Sequence, residues 1–242
     1  VKGFSYEAIL NAGLIISKDN KNKVFDRFRN RLMVPIYDSQ SRVVAFTGRT
    51  LDGSNPKYLN SPETDVFEKG KILYGFDKAS SNIRKKDLAI VVEGNFDVIS
   101  LHAKGINNCV AAQGSSLSKY QISQLCRCTD NKNIVINFDS DNAGISATKR
   151  IIAEVESLSL NHQINLKILQ LKGFKDPDEF LNQNSAVDYF NLIDNASFWI
   201  DWELDQIFLN KDLSKVDNFQ SVVSSLVKFL SCLLYTSPSP RD

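Results

Sequence analysis

The sequence has 242 residues, a formal net charge of +1 and an apolar fraction of 43%, which excludes extensive disorder and suffices for one large domain or two modest ones. No apolar run approaches the ~20 residues needed to span a bilayer, and no signal peptide is visible, so we expect a cytoplasmic protein without membrane contacts. Cys126 and Cys128 form a C-x-C with no second pair at zinc spacing, so we expect reduced cysteines and no zinc site.

Residues 1–86 are predicted to form a basic part of mixed secondary structure, because Lys and Arg outnumber Asp and Glu there, whereas the reverse holds for residues 87–242. Apolar spacing predicts a helix at Tyr6–Ala12, a polar loop is expected at Lys18–Lys23, and Leu32–Tyr37 with Val43–Phe46 is typical of a β-hairpin. The charge asymmetry indicates a polyanion track beside a metal site, or a chance difference between two solvated surfaces.

Three arginines, Arg27, Arg29 and Arg31, alternate with other side chains before the hairpin. If this segment is extended, the three guanidinium groups share one face. Such a face would be a strong phosphate clamp, because arginine matches phosphate oxygens in fork geometry. The alternative is a solvated strand face or ion pairs within the protein.

Two predicted strands, Leu88–Val92 and Ile134–Phe138, are each followed by acidic residues. Open parallel sheets place their sites at these carboxyl ends of strands. Clustered carboxylates repel one another unless a cation is present, and hard oxygen ligands suit Mg²⁺ or Mn²⁺. The alternative is that they are ordinary polar residues at strand ends. The acids are Glu93, Asp97, Asp139 and Asp141.

A third predicted strand, Ile164–Leu171, precedes Asp176, Pro177 and Asp178. Pro177 stiffens the presentation of both aspartates, which makes them a third pair of candidate metal ligands. A helix start before Glu179 explains the same residues, and both interpretations can hold together.

The remaining features are weaker. The turn Gly114–Ser116 follows a predicted strand and would offer backbone N–H groups to a phosphate. Apolar spacing predicts a helical subdomain at residues 182–231, with Trp199 and Trp202 as core anchors. Residues 232–242 break this pattern and resemble translated sequencing adapter, so we expect a non-native tail.

The residues around the acids carry a resemblance. EGNFDV at Glu93–Val98 and FDSDNAG at Phe138–Gly144 resemble a Toprim domain, the metal-binding module shared by primases and topoisomerases. With four further segments, the chain resembles the catalytic core of bacterial DnaG-type DNA primases over about residues 3–202. Asn95 replaces an aromatic residue of the family's pattern and Ser140 replaces a glycine, but neither change removes a carboxylate. The four segments are DRFRNRLMVPIYD at Asp26–Asp38, PKYLNSPET at Pro56–Thr64, FEKGKILYGFDKA at Phe67–Ala79 and KDPDEF at Lys175–Phe180.

The resemblance implies an α/β fold, α+β overall: a Rossmann-like, mostly parallel Toprim sheet at residues 87–181, between the basic N-terminal part and the helical subdomain. It implies Mg²⁺ or Mn²⁺ as cofactor, and it leaves open whether Glu93 is a ligand or an acid/base. The implied catalytic residues are Glu93, Asp97, Asp139 and Asp141. The implied metal ligands are Glu93, Asp139, Asp141, Asp176 and Asp178. The implied contacts to nucleotide or template are Arg27, Arg29, Arg49, Lys57, Asn60 and Lys69.

The function implied is synthesis of short RNA primers during DNA replication, a nucleotidyl transfer by a DNA-directed RNA polymerase of the primosome. The expected partners are single-stranded DNA template, ribonucleoside triphosphates and RNA primer. A replicative helicase is expected to bind the full-length protein through a domain that has no counterpart in this sequence. The alternatives are a Toprim-type metal-dependent nuclease and a non-catalytic fragment that binds single-stranded DNA. A topoisomerase needs a nucleophilic tyrosine in a separate domain, for which this chain has no room.

Overall fold

The computed structural model describes residues 3–18, 23–113, 116–162, 164–209 and 211–235. Three predicted features fall partly outside these ranges: the polar loop Lys18–Lys23, the turn Gly114–Ser116 and the tail at residues 232–242.

The N-terminal part consists of one short helix and two small antiparallel sheets. Its elements are α1 (Tyr6–Asn11), β1 (Ile15–Lys18), β2 (Lys23–Asp26), β3 (Arg31–Tyr37), β4 (Val43–Thr50) and β5 (Tyr58–Asn60). β1 pairs with β2, and β3, β4 and β5 form a three-stranded sheet in that order. The predicted helix and hairpin are both confirmed. The Asp38 carboxylate holds the hairpin turn, because it accepts hydrogen bonds from the backbone N–H groups of Gln40 and Arg42.

The segment that carries Arg27, Arg29 and Arg31 is not one extended strand, so the prediction of three guanidinium groups on one strand face is wrong. β2 ends at Asp26 and the chain then turns, with Asn30 in the left-handed region at φ +50°. Asparagine tolerates this conformation better than most residues do. Of the three arginines, Arg31 alone lies in a strand.

A six-stranded sheet forms the centre of the molecule. Its elements, with the helices that connect them, are β6 (Leu73–Tyr74), α2 (Phe76–Lys86), β7 (Ala89–Val92), α3 (Asn95–Ala103), β8 (Cys109–Ala112), α4 (Lys119–Cys126), β9 (Asn133–Asn137), α5 (Asn142–His162), β10 (Asn165–Ile168), α6 (Pro177–Gln183), α7 (Ala186–Asp194), β11 (Ser197–Phe198), α8 (Trp199–Phe208) and α9 (Val216–Tyr235). The strand order is β11-β10-β9-β7-β8-β6. β7 to β10 are parallel, and the two edge strands are antiparallel to their neighbours. The predicted mostly parallel sheet is confirmed.

The sheet is covered on both faces, as β7 illustrates. All four of its residues are buried. Ala89 and Val91 join one apolar cluster, and Ile90 and Val92 join the other, because successive side chains of a strand point to opposite faces. Side chains of α2, α4, α5 and α8 complete the first cluster, and those of α3, α6 and α7 complete the second. A continuous apolar run is typical of such a doubly covered strand.

The C-terminal helices share the core of the sheet. β11 adds an edge strand beside β10, and Trp199 and Trp202 are buried in the first apolar cluster, which confirms them as core anchors. The division predicted after residue 181 therefore crosses a continuous core. α9 extends to Tyr235, so the boundary predicted after residue 231 falls inside a helix. Within the described ranges, no helix is both long and apolar enough to cross a membrane.

Candidate active site

A cavity of about 360 Å³ lies where the small β3–β4–β5 sheet faces the carboxyl ends of the central strands. One wall comes from β4 and β5, and the other comes from the segments that follow β7, β8 and β9, together with the start of α6. The lining residues are Thr47, Lys57, Tyr58, Asn60, Glu93, Gly94, Asn95, Phe96, Asp97, Ala112, Gln113, Asp139, Lys175 and Asp176. The cavity therefore joins the basic N-terminal part to the predicted acids.

Glu93 directly follows β7, and Asp97 lies in the first turn of α3. Gly94 precedes the first turn of α3, and its N–H donates to the Asp97 carboxylate at 2.9 Å. The Asp139 backbone opposes the rise in the pKa of Glu93, because the end of β9 lies close to the end of β7. The prediction that Glu93 and Asp97 share one space is confirmed, since both line the cavity.

Burial raises the pKa of three carboxyl groups here. It is the largest cause for each, raising the pKa of Asp97 to about 7 and that of Asp139 to about 6, and raising that of Glu93. Negative neighbours act in the same direction: Asp139 and Asp176 raise the pKa of Asp97, and Glu93 and Asp176 raise that of Asp139. Lys175 opposes this effect on Glu93 and Asp139.

Asp139 begins a tight turn that leads into α5. A side chain at Gly144 would collide with the backbone carbonyl of Asp139, so glycine is required there. The Asp141 carboxylate accepts a hydrogen bond from the Gly144 N–H at 2.8 Å. Asp141 does not line the cavity, although its charge still contributes to raising the pKa values of Glu93 and Asp139. Ser140 is exposed, which explains how a side chain is accommodated between the two aspartates.

The two aspartates that flank Pro177 lie in different environments. Asp176 lines the cavity and is the N-cap of α6, where its carboxylate accepts a hydrogen bond from the Glu179 N–H at 2.8 Å. The helix-start interpretation is therefore confirmed, together with a place in the cavity. Asp178 lies outside the cavity lining and accepts a hydrogen bond from the Ser100 hydroxyl at 2.5 Å. The structure therefore gives no support for Asp178 as a ligand beside the other acids.

The donor chemistry of the cavity fits a hard divalent cation, but the acids are not gathered around one point. Glu93, Asp97, Asp139 and Asp176 all line it, and oxygen donors of this kind suit Mg²⁺ or Mn²⁺. Among the described residues, no three or more Asp, Glu, His or Cys side chains are arranged to hold a metal ion. The raised pKa values of Asp97 and Asp139 indicate negative charge that a cation would offset. The metal assignment stays a prediction.

The six residues predicted to contact nucleotide or template lie at different distances from the cavity. Lys57 and Asn60 line the cavity. Arg49 lies beside it, with its guanidinium carbon 5.3 Å from the Phe96 ring centroid. The other three lie elsewhere. The Arg27 guanidinium donates two hydrogen bonds to the Asn60 carbonyl, that of Arg29 lies over the Phe25 ring, and the backbone N–H of Lys69 donates to Glu63. The half-buried Arg27 thus braces β5.

Several residues of the cavity were not predicted from the sequence. Lys175 lies among the carboxylates, and only its position directly before Asp176 could have indicated this. Gln113 directly follows β8 and is buried, and its amide donates to the Asn95 side chain at 3.3 Å. Phe96 faces Tyr58 across the cavity wall. Gly114 and Ser115, two residues of the predicted phosphate-binding turn, lie outside the described residues.

Known proteins match both halves of this arrangement. The family of the DNA primase catalytic core, N-terminal domain, matches residues 1–80, and the Toprim-like family matches residues 90–181. The chain is 49% identical to a DNA primase of Synechococcus elongatus over 232 residues, which are 96% of this chain and 33% of the relative. The chain thus spans about a third of the length of the curated relatives that it matches.

Solved structures agree in fold over almost the whole chain. A DNA primase domain from Pseudomonas aeruginosa superposes with a TM-score of 0.83 at 35% identity, covering 97% of this chain and 71% of that one. A DnaG primase catalytic domain bound to single-stranded DNA superposes with a TM-score of 0.79 at 30% identity, covering 94% and 72%. The match includes both the basic N-terminal part and the carboxylate-bearing sheet, and the chain belongs to the family of bacterial DnaG-type DNA primases.

Proposed function

We propose that this chain carries the catalytic core of template-directed RNA primer synthesis on single-stranded DNA. The observation that carries the proposal is the cavity, where Lys57 and Asn60 from one sheet face Glu93, Asp97 and Asp139 from another. A binding groove alone would not need several carboxylates beside bound phosphates, since like charges repel. The chain spans about a third of the length of the first curated relative, and the activity that we propose for it is that of the catalytic core.

The reaction is a nucleotidyl transfer. The 3′-hydroxyl oxygen of the growing primer forms a bond to the α-phosphorus of a ribonucleoside triphosphate. The bond to the β-phosphate breaks, pyrophosphate leaves, and the hydroxyl proton is released. Lys57 and Lys175 are the cavity's cationic side chains, and we assign them to the triphosphate. The positive charges of these two lysines balance the negative charge that develops on the triphosphate during the reaction. Asn60 offers an amide donor and acceptor on the same wall.

The carboxylates supply the opposite charge. Glu93, Asp139 and Asp176 are the cavity residues that would hold Mg²⁺ or Mn²⁺. When bound, such ions stabilise the charge that develops on the transferred phosphoryl group. The hydrogen bond from Gly94 fixes Asp97 as a positioning residue at the start of α3. Burial raises the pKa of Glu93, which suits a group that either accepts a proton or coordinates a cation.

The partners follow from the same proposal. Single-stranded DNA is the template, as expected from the related catalytic domain that was solved with single-stranded DNA. Ribonucleoside triphosphates and the RNA primer are the other ligands of the cavity. A replicative helicase is the expected partner of the full-length protein within the primosome.

Primer synthesis by a Glu93→Gln variant tests the proposal. The purified chain is given single-stranded template, labelled ribonucleotides and Mg²⁺ or Mn²⁺, and RNA products are resolved on a gel. We expect the variant to fold normally and to lose at least about 100-fold in product, since its amide can neither accept a proton nor supply a charged ligand. Near-normal product from the variant would remove Glu93 from the reaction. Cleavage of DNA without ribonucleotides would favour a nuclease instead.

Metal binding can be measured apart from activity. Titration calorimetry with Mg²⁺ should show weaker binding for Asp139→Asn, because the substitution removes a carboxylate from the cavity. Asp178→Asn is the matched control, since Asp178 lies outside the cavity lining beside Ser100. Equal loss of Mg²⁺ affinity in both variants would contradict the assignment of the ligands to the cavity.

A further inference from the structure

Two aromatic rings meet on the wall of the cavity. Tyr58 of β5 and Phe96 of α3 have ring centroids 5.4 Å apart and planes inclined by 38°. Both rings line the cavity, and 44% of Tyr58 is exposed. An aromatic pair that belonged only to the core would be buried, so these rings present an accessible π surface beside the carboxylates.

Cations already lie over these rings. The Arg49 guanidinium carbon is 5.3 Å from the Phe96 centroid and 5.9 Å from the Tyr58 centroid, and the Lys57 ammonium is 5.5 Å from Tyr58. A guanidinium is a flat group that stacks on aromatic faces. The rings therefore lie in a strongly positive setting and accept a planar ligand group. Aromatic faces with neighbouring Arg and Lys are the usual means of holding bases of single-stranded nucleic acids.

An unpaired polar atom lies close to the same wall. Gln113 lines the cavity and is only 4% exposed, and its amide nitrogen contacts Asn95. Its side-chain oxygen has no hydrogen-bond partner among the described residues. A buried amide oxygen without a partner costs free energy. Every base carries N–H donors together with oxygen or nitrogen acceptors on its edge, and such groups would satisfy the amides of Gln113 and Asn95.

We propose that Tyr58 and Phe96 form a stacking subsite for a nucleobase, with Arg49 flanking the base and with Asn95 and Gln113 near its edge. The subsite deepens the proposed function and rests on it. It places the base of a nucleotide against the rings, while its phosphates lie toward Lys57 and the carboxylates. Because every base has a π face, the subsite would hold bases with little sequence preference.

Binding measurements with matched ligands test the subsite. The ligands are ATP and inorganic tripolyphosphate, and oligodeoxythymidine and an abasic oligonucleotide of the same length, each with Mg²⁺. The variants are Phe96→Leu, which removes the ring, and Phe96→Tyr, which keeps it. Tyr120→Leu is the control, since Tyr120 is 49% exposed on α4 and outside the cavity lining.

We expect Phe96→Leu to weaken binding of a base-bearing ligand about tenfold or more, and to leave its base-free counterpart unchanged. Phe96→Tyr and Tyr120→Leu should bind normally. Loss for ATP assigns the subsite to the incoming nucleotide, and loss for oligodeoxythymidine assigns it to a template base. Unchanged binding of both base-bearing ligands, or equal loss for ligands with and without bases, would overturn the subsite. Primer synthesis persisting in Phe96→Leu with an unchanged KM would also overturn it, while leaving the proposed function standing.

Discussion

The acidic side chains of the cavity show how burial changes the chemistry of single residues. For Glu93, Asp97 and Asp139, loss of hydration raises the pKa more than any single charged neighbour does. Asp97 is the strongest case, because its pKa of about 7 persists despite the stabilising hydrogen bond from Gly94. Without a cation, Asp97 therefore holds a proton up to about pH 7, and Asp139 holds one up to about pH 6.

The pKa of Asp97 predicts a pH dependence of stability. The folded chain holds this proton up to about pH 7, whereas the unfolded chain releases it near 3.8, the ordinary pKa of an aspartate. The free energy of unfolding should therefore fall as pH rises from about 4 to about 7. In Asp97→Asn the slope should be smaller, since Asn keeps the helix cap but does not titrate. Urea denaturation in EDTA across this range measures it, and an unchanged slope in the variant would contradict the assignment.

Sequence alone located Glu93, Asp97 and Asp139, because acids that follow buried parallel strands must come together at one edge of the sheet. It could not separate Asp176 from Asp178, since two residues flanking a proline differ only in which side chain caps the helix. The cavity positions of Lys175 and Gln113 depend on packing between distant segments, which no local pattern reports.

At the scale of elements, β5 illustrates how an apparent ligand-binding residue serves the fold. The Arg27 guanidinium spans from the end of β2 to the Asn60 carbonyl at 3.0 and 3.2 Å. This contact fixes the strand that carries Tyr58 and Asn60 into the cavity. Alternating arginines were predicted to share a strand face, but a turn at Asn30 separates them. The alternation of side chains along a strand no longer applies where a residue in the left-handed backbone conformation ends the strand.

The two arginines should differ in their effect on stability. Arg27→Ala leaves the Asn60 carbonyl without its charged partner, so we expect the free energy of unfolding to fall by about 1.5 kcal/mol or more. Arg29→Ala is the matched control, because within the described part of the chain this exposed side chain contacts only the Phe25 ring. For this variant we expect the free energy of unfolding to fall by less than about 0.5 kcal/mol. Chemical denaturation of both variants measures the two changes in the free energy of unfolding. A larger loss for Arg29→Ala would reverse the roles assigned to them.

At the scale of the whole molecule, the central sheet and the C-terminal helices form one core. Trp199 and Trp202 pack in the same apolar cluster as α2, α4 and α5, and the Trp199 ring makes an edge contact with Phe229 of α9. On the other face, the buried Tyr189 hydroxyl donates to Asn137 of β9 at 2.7 Å. Helical periodicity predicted these helices and their anchors. Packing of these helices beside the sheet was expected, but the edge strand β11 was not predicted, because its two residues are too few to show a strand pattern.

A shared core predicts cooperative unfolding. Trp202→Ala should lower the free energy of unfolding by about 3–5 kcal/mol, and hydrogen exchange should speed up in β7 and β9 as well as in α8. Ile200→Ala on the same helix is the control, since Ile200 is 38% exposed and should change stability by about 0.5 kcal/mol or less. Faster exchange confined to α8 and α9 in Trp202→Ala would instead define a separate helical subdomain.

The central claim is that two parts of the chain, the segment Lys57–Asn60 and the acids that follow the central strands, form one site for RNA primer synthesis. Primer synthesis on single-stranded template by the unmodified chain, by Lys57→Ala and by the paired Asp139→Ala and Asp141→Ala variant tests it most directly. We predict short RNA products from the unmodified chain and their loss in both variants, with all three proteins folded. Products that persist in either variant, or a folded unmodified chain that makes none, would contradict the claim.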